Sequence, residues 1–118
     1  MKRNLIKFIL IVTLALWFSC QKEETVNLES LKSIYKSYIN GEIDQCKLND
    51  AIVFCAGLNT WDAPAIIYNN NGKIIGLCNY AWGPVDEICK QLTDCEVIYR
   101  CEHHISGQPS VDKYNLGN

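Results

Sequence analysis

The sequence predicts a small α+β domain in which a sheet with a central β-hairpin packs against two helices and is cross-linked by disulfides. Three observations lead to this prediction. A helical stripe of apolar residues covers positions 28–39, two apolar runs flank Asn71-Gly72, and six cysteines lie within positions 46–101. Together they favour one compact domain over residues 28–105, which is small enough to benefit from covalent cross-links.

The first predicted element is a helix that starts after Asn27 and stops at Asn40-Gly41. Asparagine is a favoured N-cap residue, and glycine is favoured just beyond a helix end. Its apolar side chains recur with a helical period and are Leu28, Leu31, Ile34, Tyr35, Tyr38 and Ile39. We expect this helix to cover the sheet. A membrane-lying helix is the alternative, but its polar face is not strongly basic.

The first strand is predicted at residues 51–56. Residues 41–50 are polar and are interpreted as a connection containing Cys46. The run that follows is apolar and short, as is typical of a buried strand. Residues 57–64 then form a loop with Trp61-Asp62 at its centre.

A hairpin is predicted over residues 65–78, because Asn-Gly between two apolar runs favours a two-residue type I′ turn. Counting outward from the turn predicts two pairs on one face, Tyr68 with Ile75 and Ile66 with Leu77. The pairs on the other face are Ile67 with Gly76 and Ala65 with Cys78. Both faces of the hairpin are apolar. We therefore expect it to lie at the centre of the sheet with a helix on one face.

A second helix is predicted from Gly83-Pro84 to Leu92, because proline suits a first helical turn and acidic side chains suit a helix N-terminus. Its inner stripe is Val85, Ile88, Cys89 and Leu92. Residues 95–102 alternate as a last strand with Cys95, Val97, Tyr99 and Cys101 on one face. The C-terminal tail, 106–118, either packs through Val111, Tyr114 and Leu116 or frays.

The N-terminal segment has the composition of a secretory signal. Lys2, Arg3 and Lys7 precede an apolar run, 8–18, that is too short to cross a membrane as a helix. Residues 16–20, Leu-Trp-Phe-Ser-Cys, resemble the end of a bacterial lipoprotein signal peptide. The resemblance implies that residues 1–19 are removed as a signal peptide and that Cys20 receives a lipid.

The residues after Cys20 suggest a cellular location. Gln21-Lys22-Glu23-Glu24 resembles the export signal that sends Bacteroidota-type lipoproteins to the outer face of the outer membrane. The resemblance implies a lipid anchor and tether over residues 20–27 and a domain exposed at the surface, with a periplasm-facing domain as the alternative. A tether that only keeps the domain off the lipid fits the same residues. The segment 69–73, Asn-Asn-Asn-Gly-Lys, resembles small cysteine-containing lipoproteins of unknown function over about residues 46–105, and this implies no activity.

The cysteine count is odd, at seven, and becomes even if Cys20 carries the lipid. An even set in an oxidising compartment favours three disulfides. The cysteines available for them are Cys46, Cys55, Cys78, Cys89, Cys95 and Cys101. Cys95 and Cys101 would lie about 20 Å apart on one strand, which is too far to bond. Cys89 and Cys95 can meet across a turn, and we predict that pair.

Charge and motifs exclude several functions. The chain after Cys20 carries 8 basic and 13 acidic residues, a balance of −5, which disfavours a nucleic-acid partner. No catalytic motif is recognisable, so a non-enzymatic protein without a cofactor is expected. The segment 101–104, Cys-Glu-His-His, is the nearest approach to a metal cluster, but adjacent histidines on a strand point to opposite faces. The spacing of six between Cys89, Cys95 and Cys101 also differs from that of a zinc site, so an exposed histidine pair at a strand end is the expected arrangement.

Two loops, 59–64 and 79–84, each contain Asn, Trp and Pro in that order. If the strands before them run parallel, both loops lie at one end of the sheet, where Trp61, Tyr80 and Trp82 would form a ligand-binding surface. The alternative is that the tryptophans plug the core. We predict a binding module for a protein or glycan. An envelope-protective inhibitor of a foreign hydrolase, such as a lysozyme or protease, is the second hypothesis.

Overall fold

The computed structural model describes residues 24–81 and 83–118. The predicted signal peptide, Cys20 and Trp82 lie outside these ranges. In chain order the elements are helix α1 (Leu28–Tyr35), strands β1 (Gly41–Leu48), β2 (Ala51–Leu58), β3 (Ala65–Asn69) and β4 (Ile74–Cys78), a 3₁₀ turn (Glu87–Lys90), and strands β5 (Thr93–Arg100) and β6 (Val111–Asp112).

The described residues form mainly a six-stranded sheet in the order β4-β3-β2-β1-β5-β6, with every neighbouring pair antiparallel. The prediction of an α+β fold with two packed helices is therefore wrong, since α1 is the one α-helix in the described part of the chain. The hairpin is also misplaced by the prediction. Its second strand, β4, is an edge strand, and β2 and β1 occupy the centre of the sheet.

Strand β1 accounts for much of this difference, because it occupies the segment that was predicted as a polar connection. Residues Asn49 and Asp50 join it to β2 with φ values of 49° and 66°. Positive φ at both central residues is the requirement of a type I′ turn, and asparagine and aspartate tolerate it better than most residues. A turn without glycine therefore creates the central hairpin of the sheet.

Helix α1 is confirmed, although it ends four residues earlier than predicted. The side chain of Asn27 caps it by accepting a hydrogen bond of 3.2 Å from the backbone N–H of Ser30. Leu31 and Ile34 are buried against the sheet, as the helical stripe predicted. Beyond the helix, the Tyr38 hydroxyl lies 2.9 Å from the hydroxyl of Tyr68 on β3.

The hairpin of β3 and β4 is confirmed, with a small change of register. Ile67 pairs with Gly76 as predicted, but Tyr68 pairs with Ile74 instead of Ile75 because a bulge intervenes. Gly72, and not Asn71, has positive φ, at 83°. The turn is therefore a three-residue loop with glycine in the left-handed position rather than a type I′ turn.

The second predicted helix is wrong, because residues 83–92 hold only one turn of 3₁₀ helix, Glu87–Lys90. The Asp86 carboxylate does not cap a helix here but accepts a 2.9 Å hydrogen bond from the backbone N–H of Leu77 on β4. Cys89 is bonded to Cys78 of the same strand. These ties to the sheet edge replace a helix, while the predicted inner stripe still packs towards the sheet.

Two apolar clusters lie on opposite faces of the sheet. The cluster under α1 contains Leu31, Ile34, Tyr38, Ile43, Ile52, Phe54, Ala56, Ile98, Tyr99, Cys101 and Leu116. The other contains Cys46, Val53, Ile67, Cys78 and Cys89. Alternation along β2 separates them, because Val53 and Phe54 point to opposite faces. Burial of Leu116 at 7% exposure shows that the C-terminal tail packs on the domain instead of fraying.

The disulfides join Cys46 to Cys95 and Cys78 to Cys89. The predicted Cys89–Cys95 pair is therefore wrong. So is the expectation of three disulfides, because Cys55 and Cys101 are thiols. They cannot bond to each other, since Cys55 packs against the Cys46 cluster while Cys101 belongs to the cluster under α1.

The predicted alternation of β5 also fails, for a reason visible in its pairing with β1. Val97 lies opposite Asp44 and Tyr99 opposite Ile43, with a register shift between the two pairs. Because Ile43 and Asp44 are neighbours on a strand, they point to opposite faces. The shift thus separates residues that strict alternation would place together.

Candidate functional site

Strands β2 and β4 run in the same direction, because each is antiparallel to β3 between them. The condition for bringing the two tryptophan-containing loops together is therefore met, and both loops leave the sheet at one end. We call this the aromatic end and define it by residues 58–65, 78–81 and 101–106. The opposite end, which carries the β1–β2 and β3–β4 turns, is the turn end.

The large aromatic side chains of the aromatic end are exposed to solvent. Trp61 is 84% exposed and Tyr80 is 73% exposed. The alternative that Trp61 plugs the core is therefore wrong. The third predicted binding residue, Trp82, lies outside the described residues. Two of the three candidate residues are thus brought to one end of the sheet.

The loop that carries Trp61 is held by the side chain of Asn59. Its Oδ1 accepts a 2.8 Å hydrogen bond from the backbone N–H of Ile105, and its Nδ2 donates to the His103 carbonyl at 3.4 Å. The backbone N–H of Asn59 also donates to the Asn40 carbonyl at 3.0 Å. These bonds join the β2–β3 loop to the turn after β5 and to the residue before β1. The aromatic end is therefore built from segments that are far apart in the sequence.

Beside this loop is a cleft of ≈ 220 Å³ that the sequence analysis did not identify. Its polar lining is Glu42, Asp44, Cys55, Thr60 and His104, and its apolar lining includes Leu58, Ala65 and Ile105. We call it the acidic cleft. Its residues come from β1, β2, the β2–β3 loop, β3 and the turn after β5.

One carboxylate of the acidic cleft is already neutralised. The Nε of Arg100 donates a 2.7 Å hydrogen bond to Oε2 of Glu42, and Arg100 also donates to the Pro109 carbonyl at 3.2 Å. The Nε2 of His104 lies 3.8 Å from the same Glu42 oxygen. The other ring nitrogen of His104 accepts a 3.2 Å hydrogen bond from the backbone N–H of Ser106. This bond favours the tautomer with the proton on Nε2, facing Glu42.

Asp44 has no comparable cationic partner among the described residues, and a side-chain hydrogen bond joins it to Glu42. Among the described residues, its buried Oδ1 has no hydrogen-bond partner. Burial raises the pKa of Asp44 to about 6, and the nearby Glu42 carboxylate adds to the shift, while Arg100 opposes it. Asp44 is therefore a carboxyl group whose charge changes near pH 6 and which forms no ion pair with a cation of the described residues.

Cys55 lies across from Asp44 and carries a free thiol. Burial raises its pKa to about 11, with further contributions from the Asp44 and Glu42 charges. The thiol is therefore protonated near neutral pH, and a protonated thiol is a poor nucleophile. This arrangement suits binding of a ligand better than thiol catalysis.

The two histidines that were expected to form an exposed pair have different environments. His103 is exposed in a turn with φ of 55°, whereas the His104 side chain is only 11% exposed in the acidic cleft. Within residues 24–81 and 83–118, no three His, Cys, Asp or Glu side chains are arranged to hold a metal ion. The expectation of an exposed pair is therefore right for His103 alone.

Two further findings concern membrane-spanning helices and similarity to known proteins. None of the helices in the described ranges is long and apolar enough to cross a membrane. The chain matches no protein-family model, no curated protein and no solved structure.

Proposed function

We propose that this chain is a lipid-anchored binding module of the bacterial outer membrane, exposed at the cell surface, which contacts a partner through its aromatic end. The observation that carries the proposal is the 84% exposure of Trp61 on a loop that hydrogen bonds hold in place. Large exposed aromatic side chains are favoured in recognition surfaces. A loop that is already fixed loses little conformational entropy on binding.

The contacts of residues 24–27 support an orientation for the anchored domain. The Glu24 carboxylate accepts hydrogen bonds from the backbone N–H of Ile52 at 2.9 Å and from the Asn70 amide at 3.0 Å. Asn70 also donates to the Thr25 carbonyl at 2.8 Å and accepts from the Asn27 N–H at 2.9 Å. Ile52 and Asn70 both lie at the turn end. The tether therefore joins the domain at the end opposite Trp61.

This attachment determines how far each end of the domain would lie from the membrane. The four residue steps from Cys20 to Glu24 span at most about 14 Å. A lipid on Cys20 would keep the turn end close to the bilayer, while β2, with 8 residues, carries the aromatic end about 25 Å further out at ~3.3 Å per residue. Trp61 would then face partners outside the membrane instead of lipid.

The anchor is tested with the full chain in cells that attach lipid to exported proteins. Metabolic labelling with a radioactive fatty acid is expected to mark the wild-type protein and not Cys20→Ser. A label that persisted in Cys20→Ser would overturn the anchor and the orientation derived from it, but not the aromatic end as a binding surface.

Recognition is tested by capture with residues 21–118, which include every described residue. We expect the wild-type protein to capture a partner from a mixture of surface-exposed proteins and glycans, and we expect Trp61→Ala to lose this capture. The matched control is Ile74→Ala, which removes another exposed apolar side chain, 59% exposed, from the turn end. Equal capture by Trp61→Ala and Ile74→Ala, with both variants folded by circular dichroism, would contradict the proposal.

A further inference from the structure

We infer that the partner of the aromatic end is a protein that inserts a lysine or arginine side chain into the acidic cleft beside Trp61. This inference rests on the proposed function and adds the chemistry of the partner. It is carried by three features of the aromatic end, which are its charge balance, the shape of the cleft and its aromatic border.

The charge balance of the acidic cleft leaves the Asp44 carboxyl group without a cationic partner among the described residues. Arg100 neutralises Glu42 through a 2.7 Å contact, whereas Asp44 holds a buried oxygen with no hydrogen-bond partner among the described residues. The segments that define the aromatic end add Asp62 and Glu102 and contain no lysine or arginine. A cationic group from a partner would complement this surface, and an anionic one would be repelled.

The shape of the cleft fits a side chain that has an alkyl stem and a charged tip. Its ≈ 220 Å³ volume lies between the carboxyl groups of Glu42 and Asp44 and the apolar side chains of Leu58 and Ile105. Lysine and arginine pack their methylene groups on apolar surface while the charged head remains in a polar environment. A basic side chain would therefore satisfy both parts of the lining.

The exposed Trp61 on the loop beside the cleft, which is the aromatic border, favours the same class of partner although its side chain does not line the cleft. Thr60 lines the cleft, and Trp61 is the next residue along the chain. Tryptophan and tyrosine faces attract ammonium and guanidinium groups. A neutral glycan would stack on Trp61 but would leave the Asp44 charge uncompensated, so a basic protein surface fits the observations better.

The inference is tested by NMR titration of ¹⁵N-labelled residues 21–118 with two blocked peptides, acetyl-Gly-Gly-Lys-Gly-Gly-amide and its Gln counterpart. The lysine peptide is expected to give saturable shifts of the Cys55 and Ile105 amides and to bind roughly tenfold more tightly than the glutamine peptide. The difference should shrink at high salt, because salt screens the charges.

Asp44→Asn is expected to bring the affinity for the lysine peptide down to that for the glutamine peptide. The control is Asp50→Asn, which removes an acidic side chain from the turn end at a residue with φ of 66° that asparagine tolerates. Asp62→Asn, on the exposed loop, is a second test that does not depend on the packing of the cleft. Asp62→Asn should weaken binding of the lysine peptide and leave binding of the glutamine peptide unchanged.

Two outcomes would overturn the inference. Either the lysine peptide gives no saturable shifts, or it binds wild type, Asp44→Asn and Asp62→Asn equally. If capture by the same protein still requires Trp61, the aromatic end remains the binding surface and only the cationic partner is wrong. Shifts caused by chitotetraose in place of the lysine peptide would assign a neutral glycan instead. Loss of the Trp61 requirement would remove the proposed function itself.

Discussion

Asp44 of β1 lies directly opposite Cys55 of β2 in the register of the sheet. Burial disfavours the charged form of both residues, and the Glu42 carboxylate adds to this effect on Asp44, while the charges of Asp44 and Glu42 add to it on Cys55. The protein therefore keeps a thiol protonated next to a carboxyl group that titrates near pH 6. Both residues line the acidic cleft, which is the proposed site for a basic side chain of the partner.

The first prediction concerns the stability of the protein as a function of pH. Because folding raises the pKa of Asp44 from 3.8 to about 6, the folded protein holds its proton more strongly than the unfolded chain. This contribution to stability is fully present below about pH 4 and is lost as the pH rises through about 6. Asp44→Asn, which mimics the protonated carboxyl, is expected to be more stable than wild type by about 1–2 kcal/mol at pH 8, after discounting for solvent screening.

Urea unfolding at pH 4 and pH 8 measures this effect. At pH 4 the two proteins should have nearly the same free energy of unfolding. Asp50→Asn, at an exposed turn, serves as the control and should show no such difference between the two pH values. A loss of stability in Asp44→Asn that is equal at both pH values would show that the buried carboxyl is not the cause.

The second prediction concerns the disulfides. Removing Cys46–Cys95, whose cysteines are 49 residues apart, should destabilise more than removing Cys78–Cys89, which spans 11 residues. A longer closed loop restricts the unfolded chain more, with estimates of about 4 and about 3 kcal/mol for the two loops. The measurement compares the unfolding of Cys46→Ala/Cys95→Ala with that of Cys78→Ala/Cys89→Ala.

Peptide mapping by mass spectrometry checks the assignment on which this prediction rests. After denaturation, residues 21–118 should yield peptides with the Cys46–Cys95 and Cys78–Cys89 disulfides and free thiols at Cys55 and Cys101. A Cys55–Cys101 peptide would contradict the separation of these thiols on opposite faces of the sheet.

The third prediction concerns the attachment of the tether to the turn end. Asn70→Ala removes the bonds of this side chain to Glu24, Thr25 and Asn27, with an expected cost of about 1–3 kcal/mol. Hydrogen exchange should speed up at the Asn27 amide, which donates to Asn70. Asn71→Ala is the neighbouring control, and unchanged exchange at Asn27 in Asn70→Ala would mean that the tether is not held there.

Parts of this fold follow directly from local sequence signals. These features are the Asn27 cap, the apolar stripe of α1 and the hairpin turn around Gly72. In each of them the residues involved lie close together in the sequence, so propensity and periodicity suffice to predict it. The sequence predicts a common end for the loops carrying Trp61 and Tyr80 only on the condition that β2 and β4 run parallel, and the two antiparallel pairings of β3 meet this condition.

Other parts depend on contacts that no local pattern shows. Strand β1 has polar residues on both faces, Glu42 and Asp44 on one and Gln45 and Lys47 on the other, so its sequence resembles that of a polar loop. The segment 83–92 has a helical pattern, but the bond of Cys89 to Cys78 and the contact of Asp86 with Leu77 hold it at the sheet edge. The pairing of Cys46 with Cys95 likewise depends on the position of β5 beside β1.

The acidic cleft was missed for the same reason. Glu42 and Asp44 stand two apart, which is the spacing of one strand face, but the segment was not recognised as a strand. The contribution of His104 depends on the turn that follows β5, and this turn reaches the cleft through the Asn59 contacts. A search for two acidic residues on one face of a candidate strand is the signal that would have pointed to Glu42 and Asp44.

The central claim is that the aromatic end, and not the turn end, meets the partner at the cell surface. Photo-cross-linking on intact cells tests it most directly, with p-benzoylphenylalanine replacing either Tyr80 at the aromatic end or Asn71 at the turn end. We expect a protein adduct of discrete mass from position 80, lost when Trp61→Ala is added, and none from position 71. A protein adduct from position 71 alone, or one from position 80 that persists in Trp61→Ala, would contradict the claim.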